Sequence, residues 1–326
     1  MLILTHGDVE RLLPMPACIS LMAEALSARA RGEAVQPLRT ILRVPGGAGL
    51  LGSMPAYVAS PPALGVKVIA VYFGNEAAGL PSHQGGVLSI DPTTGALDAI
   101  LEGGAVTAIR TAAVSGVATD RLSLPGADDV AILGAGVQGA THLDAIHAVR
   151  PIRRLRVWNR TPARAQALAA RARERHGIHA DVAPTAESAA RGAAIICTVT
   201  QAREPILKGE WLTPGAHLNV VGSSTPEARE VDTEAVRRAM LFVDARESAL
   251  NEAGDLLIPI AEGVINQDHI RAELGEVLIG RHPGRQSPAE ITLFKSLGLG
   301  IEDVATARFV VTEARRLGVG REVSLF

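Results

Sequence analysis

The sequence predicts an α/β protein in which a doubly wound parallel sheet is inserted into an N-terminal α+β domain. Three observations lead there. An apolar run at residues 130–133 breaks into Gly134-Ala-Gly136-Val137-Gln138-Gly139 and resumes as an amphipathic segment through Val149, which reads as strand, tight turn and helix. Beyond it, strand and helix patterns alternate, as parallel strands joined by crossovers require. Ahead of it, residues 37–101 carry short apolar runs bounded by Gly and Pro, the pattern of a largely antiparallel sheet.

In chain order, residues 8–31 place Leu12, Met15, Ile19, Met22 and Leu26 three or four apart and predict one docking helix that stops at Gly32. Strand runs follow at residues 40–44, 50–58, 66–73, 86–90 and 97–101, and Asp91-Pro-Thr-Thr-Gly95 is a turn between the last two. Residues 105–122 are helical, and the polar loop 124–129 marks a domain edge. After the glycine turn come a strand ending at Trp158, a helix at 163–176, a strand at 178–182, a helix at 186–192, and strands at 194–199, 217–221 and 241–243. Residues 291–303 lead into a last helix through Leu317. The expected division sets residues 1–122 with 298–326 against residues 123–297.

The glycine turn carries the first chemical signal. Gly134 permits the turn, Gly136 has no side chain to keep a pyrophosphate from the backbone, and Gly139 lets the new helix lie close to its strand. The N–H groups and positive dipole end of that helix then hold phosphate. This spacing arises by chance in a chain with 33 glycines, so the flanking strand and helix carry the inference of a Rossmann-type dinucleotide site. An NAD site places an acid at the end of the second strand, whereas this chain has Asn159-Arg160-Thr161. Arg160 suits adenine stacking and a 2′-phosphate, and Thr161 suits the phosphate and the N-cap of a helix begun by Pro162. NADP(H) is therefore expected over NAD(H), with a solvated turn arginine as the alternative.

Composition narrows the remaining classes. Hydrophobic residues make up 47% and charged residues 20%, a globular balance that excludes a disordered or fibrous chain. A formal net charge of −2 gives no basis for nucleic-acid or membrane-surface binding. No uninterrupted apolar stretch reaches the ~18 residues of a membrane span, and the opening Met1-Leu-Ile-Leu-Thr-His6 is too short for a signal core. A cytoplasmic protein is expected. Cys18 and Cys197 lie far apart with no C-x-x-C pattern, so neither a disulfide framework nor a metal site is expected, but two small buried side chains.

Arg39, Lys67 and Arg110 each stand in apolar sequence of the first domain. A cation there must snorkel, pair or face a cleft, because an unpaired buried charge costs too much. Each one alone fits an ordinary ion pair. Three in a domain that accompanies a dinucleotide suggest a carboxylate clamp, the guanidinium fork giving bidentate geometry.

Five blocks resemble the ornithine cyclodeaminase/mu-crystallin family in order along nearly the whole chain: residues 79–85 (GLPSHQG), 107–113 (TAIRTAA), 134–139 (GAGVQG), 219–223 (NVVGS) and 292–303 (TLFKSLGLGIED). The resemblance implies a homodimer whose N-terminal substrate and dimerisation domain is rejoined by the C-terminal helix around the inserted Rossmann domain. It puts Arg39, Lys67 and Arg110 at substrate-carboxylate positions and Ser82 at a cofactor-contacting Thr/Ser position. Thr111, Val221 and Gly222, within the matching blocks, are implied cofactor residues beside Val137, Gln138 and Asn159.

One departure decides among the family's activities. Cyclodeaminases carry an Asp in a Gly-Asp-x-Pro-Gly-Lys context, where this chain reads Gly222-Ser-Ser224-Thr-Pro-Glu227. A hydroxyl is a poor general base. The sequence is thus closer to the family's imine reductases, and the expected reaction is NADPH-dependent reduction of Δ1-pyrroline-2-carboxylate or Δ1-piperideine-2-carboxylate to the L-amino acid. Ornithine cyclodeamination and a noncatalytic binding role are the alternatives. Glu252, at a spacing from Ser224 similar to that of an acid in the mu-crystallin site, is a candidate proton relay or a helix-surface glutamate. His83 is a candidate acid or a structural hydrogen-bond partner.

Overall fold

The computed structural model describes residues 1–72 and 74–324. It divides into two compact units, Met1–Arg110 with Gly298–Phe326, and Thr111–Leu297. The first division falls inside a helix, α3 below, and not after residue 122. The reason lies in the last turns of that helix: Ser115 meets His142, the Thr119 hydroxyl accepts from Asn219, and Arg150 donates to the Thr119 carbonyl, all within the second unit.

The first unit is built on β1 (Leu2–Leu4), α1 (His6–Leu12), α2 (Met15–Arg31), β2 (Ala34–Val35), β3 (Thr40–Arg43), β4 (Gly49–Ala59), β5 (Pro62–Tyr72), β6 (His83–Ile90), β7 (Leu97–Glu102) and the start of α3 (Gly103–Leu122). The single helix expected over residues 8–31 is two helices. Pro14 stands at the N-cap of α2 and Pro16 just inside it, and a proline removes the N–H that a continuous helix needs. The predicted strand at 66–73 belongs to β5, which runs to Tyr72; its last residue, Phe73, lies outside the described residues.

The sheet order is Arg321–Glu322, β1, β7, β6, β5, β4, β2, with β3 also on β4. Among the described residues of this sheet, β1 and β7 pair in parallel and the other pairs are antiparallel. The C-terminal helix Gly300–Leu317 packs on β4, β5 and β6. Ala63, Gly65 and Lys67 alternate as buried residues on one face of β5, and a Cβ on Gly65 would come within 3.3 Å of Val304 on that helix. Strand register therefore carries Lys67 to the helix-facing side.

The second unit contains β8 (Asp129–Leu133), α4 (Val137–Val149), β9 (Arg154–Trp158), α5 (Pro162–His176), β10 (His179–Val182), β11 (Ile195–Thr198), β12 (His217–Val220), β13 (Ala239–Val243), β14 (Ile270–Glu273) and β15 (Ile291–Lys295). They form one parallel sheet in the order β10, β9, β8, β11, β12, β15, β13, β14. Strand order reverses between β8 and β11, the crevice where such sheets bind dinucleotides. Val130 and Ile132 join one core with Leu143 and Val157, while Ala131 and Leu133 join the other with Ile196 and Leu218. Each such buried branched side chain contributes about 1.5–3 kcal/mol.

Cys18 and Cys197 are free and buried. Among the described residues no helix is long and apolar enough to cross a membrane.

Candidate active site

The second unit carries the phosphate turn. Gly134 adopts φ 115°, a left-handed value that a side chain resists, and a Cβ there would sit 2.6 Å from the Val199 carbonyl. Gly136 is the N-cap of α4 and is exposed, and a Cβ on it would meet nothing. The backbone at the start of α4 is therefore open to solvent. A Cβ on Gly139 would collide with the Gly134 carbonyl, so α4 approaches the turn only because residue 139 is glycine. Val137 is exposed and Gln138 half-buried in the first turn of α4.

Asn159 also has a structural part. Its Oδ1 accepts the Ala135 N–H at 3.0 Å and its Nδ2 donates to the Thr161 carbonyl at 3.0 Å, so it ties the end of β9 to the glycine turn. Arg160 and Thr161 are exposed beside it. Thr161 does occupy the N-cap of α5, but its side chain makes no capping bond, contrary to expectation. Its ψ of 105° lies well below the 167° of Asp232, whose side chain does cap its helix.

On the other side of the strand-order reversal, Gly222 follows β12 and lies against Thr200, which follows β11; a Cβ on Gly222 would strike the Thr200 carbonyl and stand 2.6 Å from the Glu230 carboxylate. Val221 N–H donates to the Thr198 carbonyl at 3.0 Å. Ser224 is exposed. Thr111 is buried on α3, and Glu252 is the half-buried last residue of the helix Arg246–Glu252.

The first unit gathers the cations. Lys67 Nζ lies 2.8 Å from Asp303 Oδ2 and 3.0 Å from Oδ1, and Arg110 Nε donates to the same Oδ1 at 3.0 Å. Arg110 Nη1 donates to Glu302 Oε2 at 2.6 Å, and Arg39 Nη2 to the Gly298 carbonyl at 3.0 Å. Gly298 has φ 79°, and a Cβ there would overlap the Arg110 guanidinium, so the chain turns beneath that side chain. Glu302 and Asp303 lie in the first turn of the C-terminal helix, where its dipole favours acids. Lys67, Arg110, Glu302 and Asp303 are all buried, whereas Arg39 is half-buried.

Burial pushes the Lys67 ammonium down to about 8, helped by the Arg110 charge and opposed by Asp303. Arg110 is held above its ordinary value because Asp303 and Glu302 outweigh its burial. Counting these five side chains, three cations against two carboxylates leave a formal charge of one positive. Glu302 and Asp303 close the TLFKSLGLGIED block of residues 292–303. A Glu-Asp pair opening a helix in apolar surroundings was the signal that they complete a charge cluster.

Ser82, half-buried ahead of β6, places its Oγ 3.0 Å from His83 Nδ1.

Glycine turn and strand order in the second unit define a Rossmann-type dinucleotide-binding protein, whose first unit holds a buried cationic cluster. The ornithine cyclodeaminase/mu-crystallin family model matches residues 1–317, and the chain belongs to that family. It is 44% identical over 281 residues to the ketimine reductase mu-crystallin of Mus musculus, covering 86% of this chain and 85% of that one. It is 36% identical over 324 residues to a Delta(1)-pyrroline-2-carboxylate reductase of Bacillus cereus (strain ZK / E33L), covering 99% of each. A solved structure of the Thermococcus litoralis Delta(1)-pyrroline-2-carboxylate reductase, in complex with NADH and L-proline, superposes with a TM-score of 0.97 at 42% identity, covering 99% of this chain and 100% of that one.

Proposed function

We infer that this chain is a nicotinamide-dependent imino-acid reductase, and we propose NADPH as its reductant and Δ1-pyrroline-2-carboxylate or Δ1-piperideine-2-carboxylate as its substrate class. The observation that carries the substrate reading is the Lys67–Asp303–Arg110–Glu302 array with Arg39 beside it. Its formal charge of one positive matches a single carboxylate and disfavours a dicarboxylate, which would bring a second charge with no cation to meet it. Arg110 and Arg39 orient the carboxylate, and so the C=N bond attached to it. Lys67, brought to about 8, gives a proton to the ring nitrogen at neutral pH more readily than an ordinary lysine. When bound, the dinucleotide supplies the hydride for the imine carbon.

The exposed Ser224 offers no carboxylate to deprotonate an amine, which favours imine reduction over cyclodeamination. Glu252 remains a proposed proton relay, and Ser82, Thr111, Val221 and Gly222 remain proposed cofactor residues. The preference for NADPH rests on Asn159-Arg160-Thr161, which has no acid for a ribose 2′-hydroxyl and presents an exposed guanidinium. Arg160→Ala should weaken NADPH by about 1–3 kcal/mol and NADH far less. Titration of both nucleotides measures this, and equal weakening would remove the 2′-phosphate role.

We also propose a homodimer. Val35, Ile41, Leu42, Leu51, Tyr57 and Tyr72 expose apolar surface on β2 to β5 of one sheet, more than scattered single residues account for.

A further inference from the structure

Behind the Thr200 and Gly222 segments lies a buried carboxylate that the proposed reaction does not use. Glu230 is fully buried. Its Oε1 accepts from the Thr200 N–H at 2.6 Å and the Thr200 hydroxyl at 2.7 Å. Its Oε2 accepts from the Thr198 hydroxyl at 2.9 Å and the Gly222 N–H at 2.6 Å. One side chain thus grips the chain as it leaves β11 and as it leaves β12. Thr200 also packs against the glycine turn, since a Cβ on Gly134 would stand 2.9 Å from its methyl group. That contact uses the Thr200 methyl, which a valine keeps, so the glycine turn after β8 does not depend on the Thr200 hydroxyl, whereas Glu230 holds the segments after β11 and β12.

The carboxylate is itself anchored from behind. The Glu230 N–H donates to Asp255 Oδ1 at 2.7 Å, Asp255 Oδ2 lies 2.8 Å from Lys295 Nζ, and Lys295 Nζ donates to the Ser223 carbonyl at 2.5 Å. The ring closes where it began, since Ser223 follows Gly222. Two carboxylates face one ammonium in a buried place, and burial together with the Asp255 charge holds the Glu230 carboxyl above its usual range, an arrangement costly to keep for packing alone. Each carboxylate oxygen of Glu230 faces one backbone N–H, of Thr200 or of Gly222, which can only donate, so a neutral amide of the same shape cannot satisfy both: whichever way it is turned, its NH₂ meets an N–H.

In doubly wound sheets a dinucleotide crosses the strand-order reversal, with its adenosine on the β8–β9 side and its nicotinamide beyond the strand ends on the other side. We propose that Glu230 is a positioning residue for the nicotinamide half of the cofactor, acting through the backbones of Thr200 and Gly222 and leaving the adenosine half untouched. This rests on the dinucleotide reading above.

The test compares Glu230→Gln and the milder Thr200→Val, which removes one of the four donors, with wild type. Three quantities are read: binding of ADP-ribose and of its 2′-phosphorylated form, binding of NADPH, and kcat for reduction of Δ1-pyrroline-2-carboxylate. A misplacement of about 1 Å at a reacting centre costs on the order of 10²-fold. Glu230→Gln should therefore lose kcat on that order, and Thr200→Val less, while both keep wild-type affinity for the ADP-ribose probes. If Glu230→Gln does not fold, Thr200→Val decides. Unchanged kcat in the folded variants, or ADP-ribose affinity that falls in step with NADPH affinity, would overturn the inference. Wild-type protein that binds none of the three nucleotides would overturn the dinucleotide reading itself, and this inference with it.

Discussion

Arg110 and Lys67 share Asp303 but differ in what they bring to it. The guanidinium spans two carboxylates, Nε to Asp303 and Nη1 to Glu302, a geometry that an ammonium cannot reproduce. Arg110→Lys should lower kcat/KM at least tenfold while leaving NADPH affinity unchanged; near-wild-type turnover would make Arg110 purely structural. Lys67 is the group whose charge changes within reach of neutral pH. Its folded value of about 8 lies below that of a free lysine, so proton donation is complete below pH 8 and fades as pH rises through it. The kcat/KM profile should fall on its alkaline side near pH 8, and Lys67→Arg should abolish that limb. A limb that persists in the variant would place the proton elsewhere. The same shift acts on stability with the opposite slope: between about 8 and the unfolded lysine value near 10.4, the native state binds fewer protons, so this group adds stability as pH rises. At this scale the cations were legible because charge stands out in apolar sequence. Their partners and Glu230 were not, because hydrogen bonds to Glu230 from residues 8 to 32 positions away leave no periodic mark.

At the scale of elements, the glycine turn separates two effects of one small substitution. Gly136 has φ −92° and open space around its missing Cβ, so Gly136→Ala should fold with an unchanged thermal midpoint yet lose at least about tenfold in dinucleotide affinity. Gly139→Ala must push α4 away from the Gly134 carbonyl and should lose both stability and affinity. Calorimetry and nucleotide titration on the two variants check this, and full NADPH binding by Gly136→Ala would remove the pyrophosphate from that backbone. The elements around this turn were readable because apolar runs alternated with amphipathic ones. β15 was not assigned, since Thr292 and Lys295 interrupt its apolar pattern. Both are fully paired inside, Thr292 with His217 and Lys295 with Asp255, so the polar residues that hid the strand are satisfied by it. The break between α1 and α2 was missed for a different reason, in that helical spacing continued across Pro14 while the backbone could not.

For the whole molecule, the chain pattern puts the expected division after residue 122, whereas the compact units part inside α3, because a helix carries no composition change where its packing partners change. Exposed apolar residues on β2 to β5 give the assembly its test: light scattering should return twice the 34.0 kDa chain mass, and Leu42→Asp, on a strand exposed throughout, should return a monomer. A wild-type monomer at micromolar concentration would contradict the dimer. The central claim is the direction of the chemistry, and it is tested most directly by supplying the protein with Δ1-pyrroline-2-carboxylate and NADPH, and separately with L-ornithine and NAD+, while following nucleotide absorbance, L-proline and ammonia. The expected result is one L-proline formed per NADPH consumed and no ammonia from ornithine. Ammonia released from ornithine without reduction of the cyclic imine would contradict the account.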